Sequence, residues 1–212
     1  MSEPLVSLHE VSVRAGAIPI LLDAGLEVGA GEALGVAGPN GAGKTTLLGV
    51  IATLIPPDAG TGSILGAPLG TPAVRSVRPR IGLSGHEPAL VPELTLLENL
   101  ELMADVAGLS RDLATSALEQ VGLHGARTRR SDRSSNGMRR RADLARLLMT
   151  RPEVLLLDEA HAGLDEEAEA IVAALVDDVR SRHGCAILVS HDGGRLRRTV
   201  DRVVRIEAGV LA

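Results

Sequence analysis

An α/β fold with a mainly parallel sheet, an N-terminal antiparallel β edge and an inserted helical subdomain follows from three features of the 212-residue sequence. A glycine-rich loop, GPNGAGKTT at 38–46, stands between an apolar strand pattern and a helical one. The run VLLLD at 154–158 is wholly apolar and ends in an acid, as a parallel strand covered on both faces does. Between these landmarks, from about residue 84 to 145, the texture turns helical, and afterwards strand and helix patterns alternate again. We therefore expect residues 1–83 and 146–212 to form the core and 84–145 a helical subdomain of one domain.

The elements follow in order. Leu5–Val13, Leu21–Val28 and Ala33–Ala37 are short, apolar or alternating, and separated by glycine turns, so they predict strands. After the loop, GKTTLLGVIATL has helical apolar spacing and stops before Ile55-Pro56-Pro57. PPDAGTGSILG is turn chemistry running into a short strand, and Ile81–Leu83 makes another. Thr95 with Glu98 forms a capping box ahead of LLENLELMADVAGL, and Ser110 caps RDLATSALEQVGL. RTRRSDRSSNG is a basic polar loop leading to a helix from Met138 to Met149, which Pro152 stops. Asp165 caps a long helix through Arg182, with Gly184 just past its end. CAILVS is a buried strand and RVVRIEAG a last one.

Composition narrows the function. A formal net charge of -5 argues against a protein that grips nucleic acid, because that work needs a basic surface. The run Arg139-Arg140-Arg141 with Arg127, Arg129, Arg130 and Arg133 is accordingly expected to be a solvated face. The single cysteine, Cys185, excludes an intramolecular disulfide and opens an apolar run, so a buried, reduced thiol in a reducing cytoplasm is expected. No apolar stretch has the length of a membrane span, and MSEPLVSLHE lacks the pattern of an export signal. The chain contains no Phe, Tyr or Trp, and its only lysine is Lys44, inside the glycine-rich loop.

The loop matches G-x-x-x-x-G-K-[ST] through Gly38, Gly43, Lys44 and Thr45. Gly38, Pro39, Asn40, Gly41, Ala42 and Gly43 would wrap phosphates at a helix N-terminus, with Gly41 a further position free of side chain. Lys44 would pair the β- and γ-phosphates, Thr45 would ligate Mg²⁺ and Thr46 would offer another hydroxyl. Asp158, at the carboxyl end of the apolar strand, would reach the Mg²⁺ shell. Glu159 would lie beside the γ-phosphate, where a carboxylate can act as base toward water.

The order GPNGAGKTT, SSNGM at 134–138, LLLDEA, AGLD at 162–165 and SHD at 190–192 resembles the ATP-binding subunits of ABC transporters over essentially the whole chain. The resemblance implies a P-loop NTPase core that binds and hydrolyses ATP with Mg²⁺. It also implies a head-to-tail dimer with itself or a homologous ATPase subunit, and a separate membrane permease docked on the helical subdomain. The chain would then be peripheral on the inner face of the cell membrane. Ser135, Asn136 and Gly137 would face the partner's γ-phosphate, Asp165 would cross the interface, and His191 would position water with Glu159. His86 occupies the position usually held by Gln near the Mg²⁺ site. GHEPAL followed by LTLLENL is similar to the ATPase of the haem exporter of cytochrome c maturation, ahead of a drug or lipid exporter. A soluble ABC-type ATPase without permease and a nucleotide-sensing module with degenerate catalysis are the rival classes.

Five positions, in four places, depart from the family pattern. Asn136 stands for a glycine, tolerable if the backbone needs positive φ, and His86 stands for Gln. Ala160 and His161 replace the Pro and small residue after the catalytic Glu. Ala15 stands where a ring usually meets adenine, which should weaken binding by roughly 1–3 kcal/mol and loosen selectivity for ATP over GTP. Ala15→Tyr is therefore expected to tighten ATP binding by a similar amount, measured by calorimetric titration.

Overall fold

The structure is a computed structural model that describes residues 3–159 and 166–212. Along the chain run β1 (Val6–Ala15), β2 (Ile18–Val28), β3 (Ala33–Ala37), α1 (Lys44–Ile51), β4 (Ala59–Ile64), β5 (Ala67–Pro68) and β6 (Ile81–Ser84). Three helices follow, α2 (Leu96–Ala107), α3 (Asp112–Gln120) and α4 (Asn136–Thr150). The chain then gives β7 (Val154–Asp158), α5 (Glu166–Ser181), β8 (Cys185–Ser190), α6 (Gly193–Leu196), β9 (Arg202–Glu207) and β10 (Val210–Leu211). Contacts divide these into two units. One holds the residues up to Leu83, the segment beginning at Pro152 and Val176–Ala212; the other holds Ser84–Arg151 and the part of α5 up to Leu175. The expected boundary at 145 thus falls inside α4, because the apolar face of that helix continues to Met149 and only Pro152 ends the pattern.

In the first unit the expected antiparallel edge is a sheet of its own, in the order β2-β1-β4-β5. β1 pairs antiparallel with both β2 and β4, and irregular registers interrupt both ladders. The second sheet runs β10-β9-β3-β8-β7-β6. β3 lies parallel between β8 and β9, and β7 is parallel to β8. Every residue of β3, β7 and β8 is buried, as their unbroken apolar runs require. Arg80, just before β6, pairs with Glu153, just before β7, and that guanidinium holds the Glu153 carboxyl below its usual range. The core is aliphatic throughout: Leu34, Val36, Leu47, Leu48, Ile51, Leu156 and Ile187 meet Val6, Leu8 and Leu26 without a single ring.

In the second unit α2, α3 and α4 bury Leu96, Leu100, Ala104, Leu118, Ala142, Ala145 and Met149 together. Both halves of the Thr95–Glu98 capping box form: Glu98 N donates to Thr95 Oγ1 at 3.1 Å and Thr95 N donates to Glu98 Oε2 at 2.8 Å. Those bonds to Thr95 hold the Glu98 carboxyl below its ordinary value. Ser110 does not cap α3 as expected; the cap position falls on Arg111, and Ser110 Oγ receives only a long bond from Asp112 N at 3.3 Å. Asp165, together with Ala160 and His161, lies outside the described residues. Among those described, no helix is long and apolar enough to cross a membrane.

Cys185 is fully buried in this aliphatic core, and burial, with a smaller contribution from Glu32, pushes its thiol from 9.0 up to about 12. The folded state therefore keeps the proton where the unfolded chain gives it up. Unfolding releases a proton between these values, so stability should fall with rising pH from about 9 to about 12. The limiting slope is about 1.4 kcal/mol per pH unit. Urea unfolding across that window is expected to show this component in the parent and to lack it in Cys185→Ala.

Candidate functional site

The loop 38–43 leaves β3 and enters α1, and its path is set by what crowds it. A Cβ at Gly38 would lie 2.2 Å from the carbonyl oxygen of Ile206 in β9, so no side chain fits there. Gly43 has φ +103°, and a Cβ on it would stand 2.8 Å from Ile20 O and 3.1 Å from the Leu21 side chain. The loop is also tied to its surroundings: Gly38 N donates to Ser190 O at the end of β8, and Gly209 N donates to Ala42 O. The loop leads straight into the N-terminus of α1, the end of a helix that favours an anion.

Lys44, the first residue of α1, is buried, and its Nζ donates to Gly38 O at 2.8 Å and Pro39 O at 3.0 Å. Glu159 Oε1 stands 3.9 Å from the same nitrogen. The two side chains are only 7% and 14% exposed, so the lysine charge sits in a place where phosphate oxygens would replace carbonyl partners without further burial. Thr45 Oγ1 donates to Asp158 Oδ2 at 2.8 Å, which brings the hydroxyl and the strand-end carboxylate together as expected. A hard hydroxyl-plus-carboxylate pair beside a phosphate cradle suits Mg²⁺, which keeps several waters and takes few protein ligands. Among the described residues no group of three or more His, Cys, Asp or Glu could hold a metal by itself.

Glu159 follows Asp158 with φ 49°, a left-handed conformation that costs a non-glycine residue about 1–3 kcal/mol. The strain turns its carboxylate toward β8. There Oε2 accepts from Nδ1 of His191 at 2.9 Å, and Ser190 Oγ lies 3.4 Å away. Since a carboxylate only accepts, this bond places a proton on Nδ1 and leaves Nε2 facing away from it. Asp192 N donates to Ser190 Oγ at 3.1 Å, and the Asp192 carboxylate caps α6 through Gly194 N and Arg195 N. The backbone donors of Arg195 and Gly194 hold that carboxyl below its usual range, Arg195 contributing more. Ser190, the first residue of the SHD motif, is given no role by the sequence and acquires its place here by closing β8 beside Glu159.

Lys44, Thr45, Asp158, Glu159 and His191 are thus gathered in the first unit. Thr46 is half-buried in the first turn of α1, and Ala15 is exposed at the hairpin joining β1 to β2. Ser135, Asn136, Gly137 and His86 belong to the second unit. Ser135 is the N-cap of α4, its Oγ accepting from Met138 N at 3.2 Å, so the helix starts two residues before the expected Met138. Asn136 and Gly137 lie in its first turn, and neither has positive φ, which overturns the glycine-like conformation considered for Asn136. The Asn136 side chain instead accepts from the Arg139 guanidinium. His86 is exposed on a loop fastened to α4 at three points. Asp143 accepts from Ser84 Oγ at 2.5 Å and Ala89 N at 3.2 Å, and Arg140 Nη1 donates to Gly85 O. Asp143 is fully buried and paired with Arg146.

Known proteins were compared with this arrangement. The family model described as ABC transporter matches residues 21–162. The methionine import ATP-binding protein MetN of Brucella abortus is 33% identical over 219 residues, covering 100% of this chain and 59% of the relative. The chain therefore spans about three-fifths of the length of that relative. Nod factor export ATP-binding protein I of Burkholderia orbicola is 34% identical over 213 residues, covering 99% of this chain and 70% of the relative. A dimeric ATP-binding cassette in a post-hydrolysis state with ADP and Pi superposes with a TM-score of 0.87 at 26% identity, over 97% of this chain and 96% of that one.

Gly43→Ala should force a Cβ into Ile20 O at a positive φ. We expect it to lower unfolding stability by about 1–3 kcal/mol and to abolish the rise in melting temperature that Mg-ATP gives the parent, both read in one thermal-shift series.

Proposed function

The chain belongs to the ABC transporter family, and from that premise we propose that it is an ATP-hydrolysing subunit that powers transport through a separate membrane permease. The observation that carries hydrolysis is the pairing of strained Glu159 with His191, 2.9 Å apart, beside the buried Lys44. A module that only sensed nucleotide would have no use for a base held at that cost.

In this reading the phosphate chain enters the loop 38–43, and Lys44 exchanges its bonds to Gly38 O and Pro39 O for β- and γ-phosphate oxygens. Thr45 and Asp158 would hold Mg²⁺, which supplies charge neutralisation on the phosphates when bound. Glu159 orients a water in line with the γ-phosphate and accepts its proton, while His191 fixes the rotation of the carboxylate through Nδ1. Rate enhancement comes from positioning and electrostatics, since the chain supplies no covalent chemistry to this transfer.

The remaining site residues are assigned on the family pattern. Ser135, with Asn136 and Gly137, would meet the γ-phosphate of a second ATPase subunit arranged head to tail, and Asp165 would cross that interface. The cap position of Ser135 supports this, because a helix N-terminus with exposed donors favours an anion. His86 would stand near the metal in the place of Gln, and the helical unit would carry the permease at the inner face of the cell membrane. The two named relatives act in methionine import and in Nod factor export, so the family likeness is compatible with either direction. We keep export, of the haem type used in cytochrome c maturation, as the first reading on the GHEPAL and LTLLENL likeness, and a drug or lipid exporter as the second.

Glu159→Gln is expected to lower turnover by about 10²–10⁴-fold while retaining ATP binding, and to accumulate an ATP-bound dimer visible by size-exclusion chromatography. Equal turnover in parent and variant would favour the nucleotide-sensing module instead.

A further inference from the structure

At the end of α1 opposite Lys44, the first unit holds a cavity of about 300 Å³, a volume at the lower end of the range for small-molecule sites. Residues 53–57, which leave α1, form one wall, and residues between 69 and 78, which follow β5, form the other. Leu54, Ile55, Leu69 and Val74 make much of the lining apolar. The first wall is pinned to α1. Leu54 N and Ile55 N donate to Gly49 O at 2.9 and 3.1 Å, and the Ile55 side chain fills the space a Cβ on Gly49 would need, its Cδ1 2.6 Å from that point. The cavity is therefore preformed, and a ligand meets it without first ordering the chain.

Thr53 passes through a left-handed conformation, φ 59°, which a β-branched residue adopts rarely and at a cost. The turn secures a hold on Arg78, whose Nε donates to Thr53 Oγ1 at 2.9 Å and whose Nη2 donates to Thr53 O at 2.7 Å. Those bonds occupy the Nε–Nη2 side of the guanidinium. Its Nη1–Nη2 end, a pair of parallel N–H donors, meets no acceptor among the described residues. Arg75, exposed on the single-turn helix Pro72–Ser76, likewise has no carboxylate partner among them. By contrast Arg80, Arg180 and Arg202 of the same unit each pair with a carboxylate. Two uncompensated guanidiniums on an apolar hollow are complementary to one kind of molecule. We propose that this cavity binds a small anionic amphiphile, a carboxylate or phosphate head on a short apolar body. Arg78 takes the head end-on, Arg75 adds charge, and Leu54, Leu69 and Val74 cover the body. The site is separate from the phosphate loop and owes nothing to the nucleotide.

The test is calorimetric titration of the full chain with octanoate and with octyl phosphate, both below their micelle thresholds, in the absence and presence of saturating Mg-ADP. One-to-one binding of at least one probe is expected, with the same constant whether or not the nucleotide is present, and the tighter probe names the head group. Acetate, which lacks the body, and 1-octanol, which lacks the charge, should each bind at least about tenfold more weakly. Leu54→Asp and Arg75→Glu alter exposed side chains, Leu54 being 62% exposed, and should keep the unfolding midpoint of the parent. Each should weaken the amphiphile by about tenfold or more. Binding of neither probe, 1-octanol as tight as octanoate, or constants that neither substitution moves would overturn the site. Displacement of the probe by Mg-ADP would assign the anion to the phosphate loop and overturn it as well.

Discussion

Everything in the first unit turns on keeping two positions, Gly38 and Gly43, bare of side chains. Gly38 and Gly43 bracket the turn into α1, and neighbours on two sides leave no space for a Cβ at either: Ile206 O over Gly38, Ile20 O over Gly43. Those neighbours come from β9 and β2, strands of different sheets, and Gly209 at the β9–β10 turn adds a bond to Ala42 O. The loop is thus gripped rather than free, which removes ordering entropy that a phosphate would otherwise have to offset.

The charges around the loop obey the same logic. A buried ammonium or carboxylate is expensive unless fully partnered, and here Lys44 is satisfied by two carbonyls with Glu159 nearby, and Glu159 by His191. Each group waits in a bonded state resembling the one a phosphate would create, so binding exchanges partners without exposing a bare charge. Glu159 is one of eight non-glycine residues with positive φ among those described, and the one of them that pairs with His191 beside Lys44.

How much of this could be read from the sequence depends on the range of the interaction. The loop, the capping box at Thr95 and the acid-tipped strand β7 were legible because each is specified by residues a few positions apart. The separate antiparallel sheet was not, since strand pairing between β1 and β4 is a long-range matter that alternation alone leaves open. The start of α4 was placed two residues late because Asn136-Gly137 looks like a turn. In fact the dipeptide is tolerated in a first helical turn once Ser135 caps it. Asp143 gave no sign at all: a lone acid on the buried face of a helix looks like a break in pattern until its partner Ser84, 59 residues away, is brought beside it.

The Asp143 clamp also has a mechanical meaning. α4 runs unbroken from its cap at Ser135 past Asp143, about 12 Å of rise along one rod. The loop bearing His86 is bolted to that rod at Ser84, Gly85 and Ala89. A helix so short is stiff on the scale of its own length, so the cap and the bolted loop share one rigid support. The cap at Ser135 and the loop of His86 are thereby joined within the second unit through two side chains of one helix, Arg140 and Asp143.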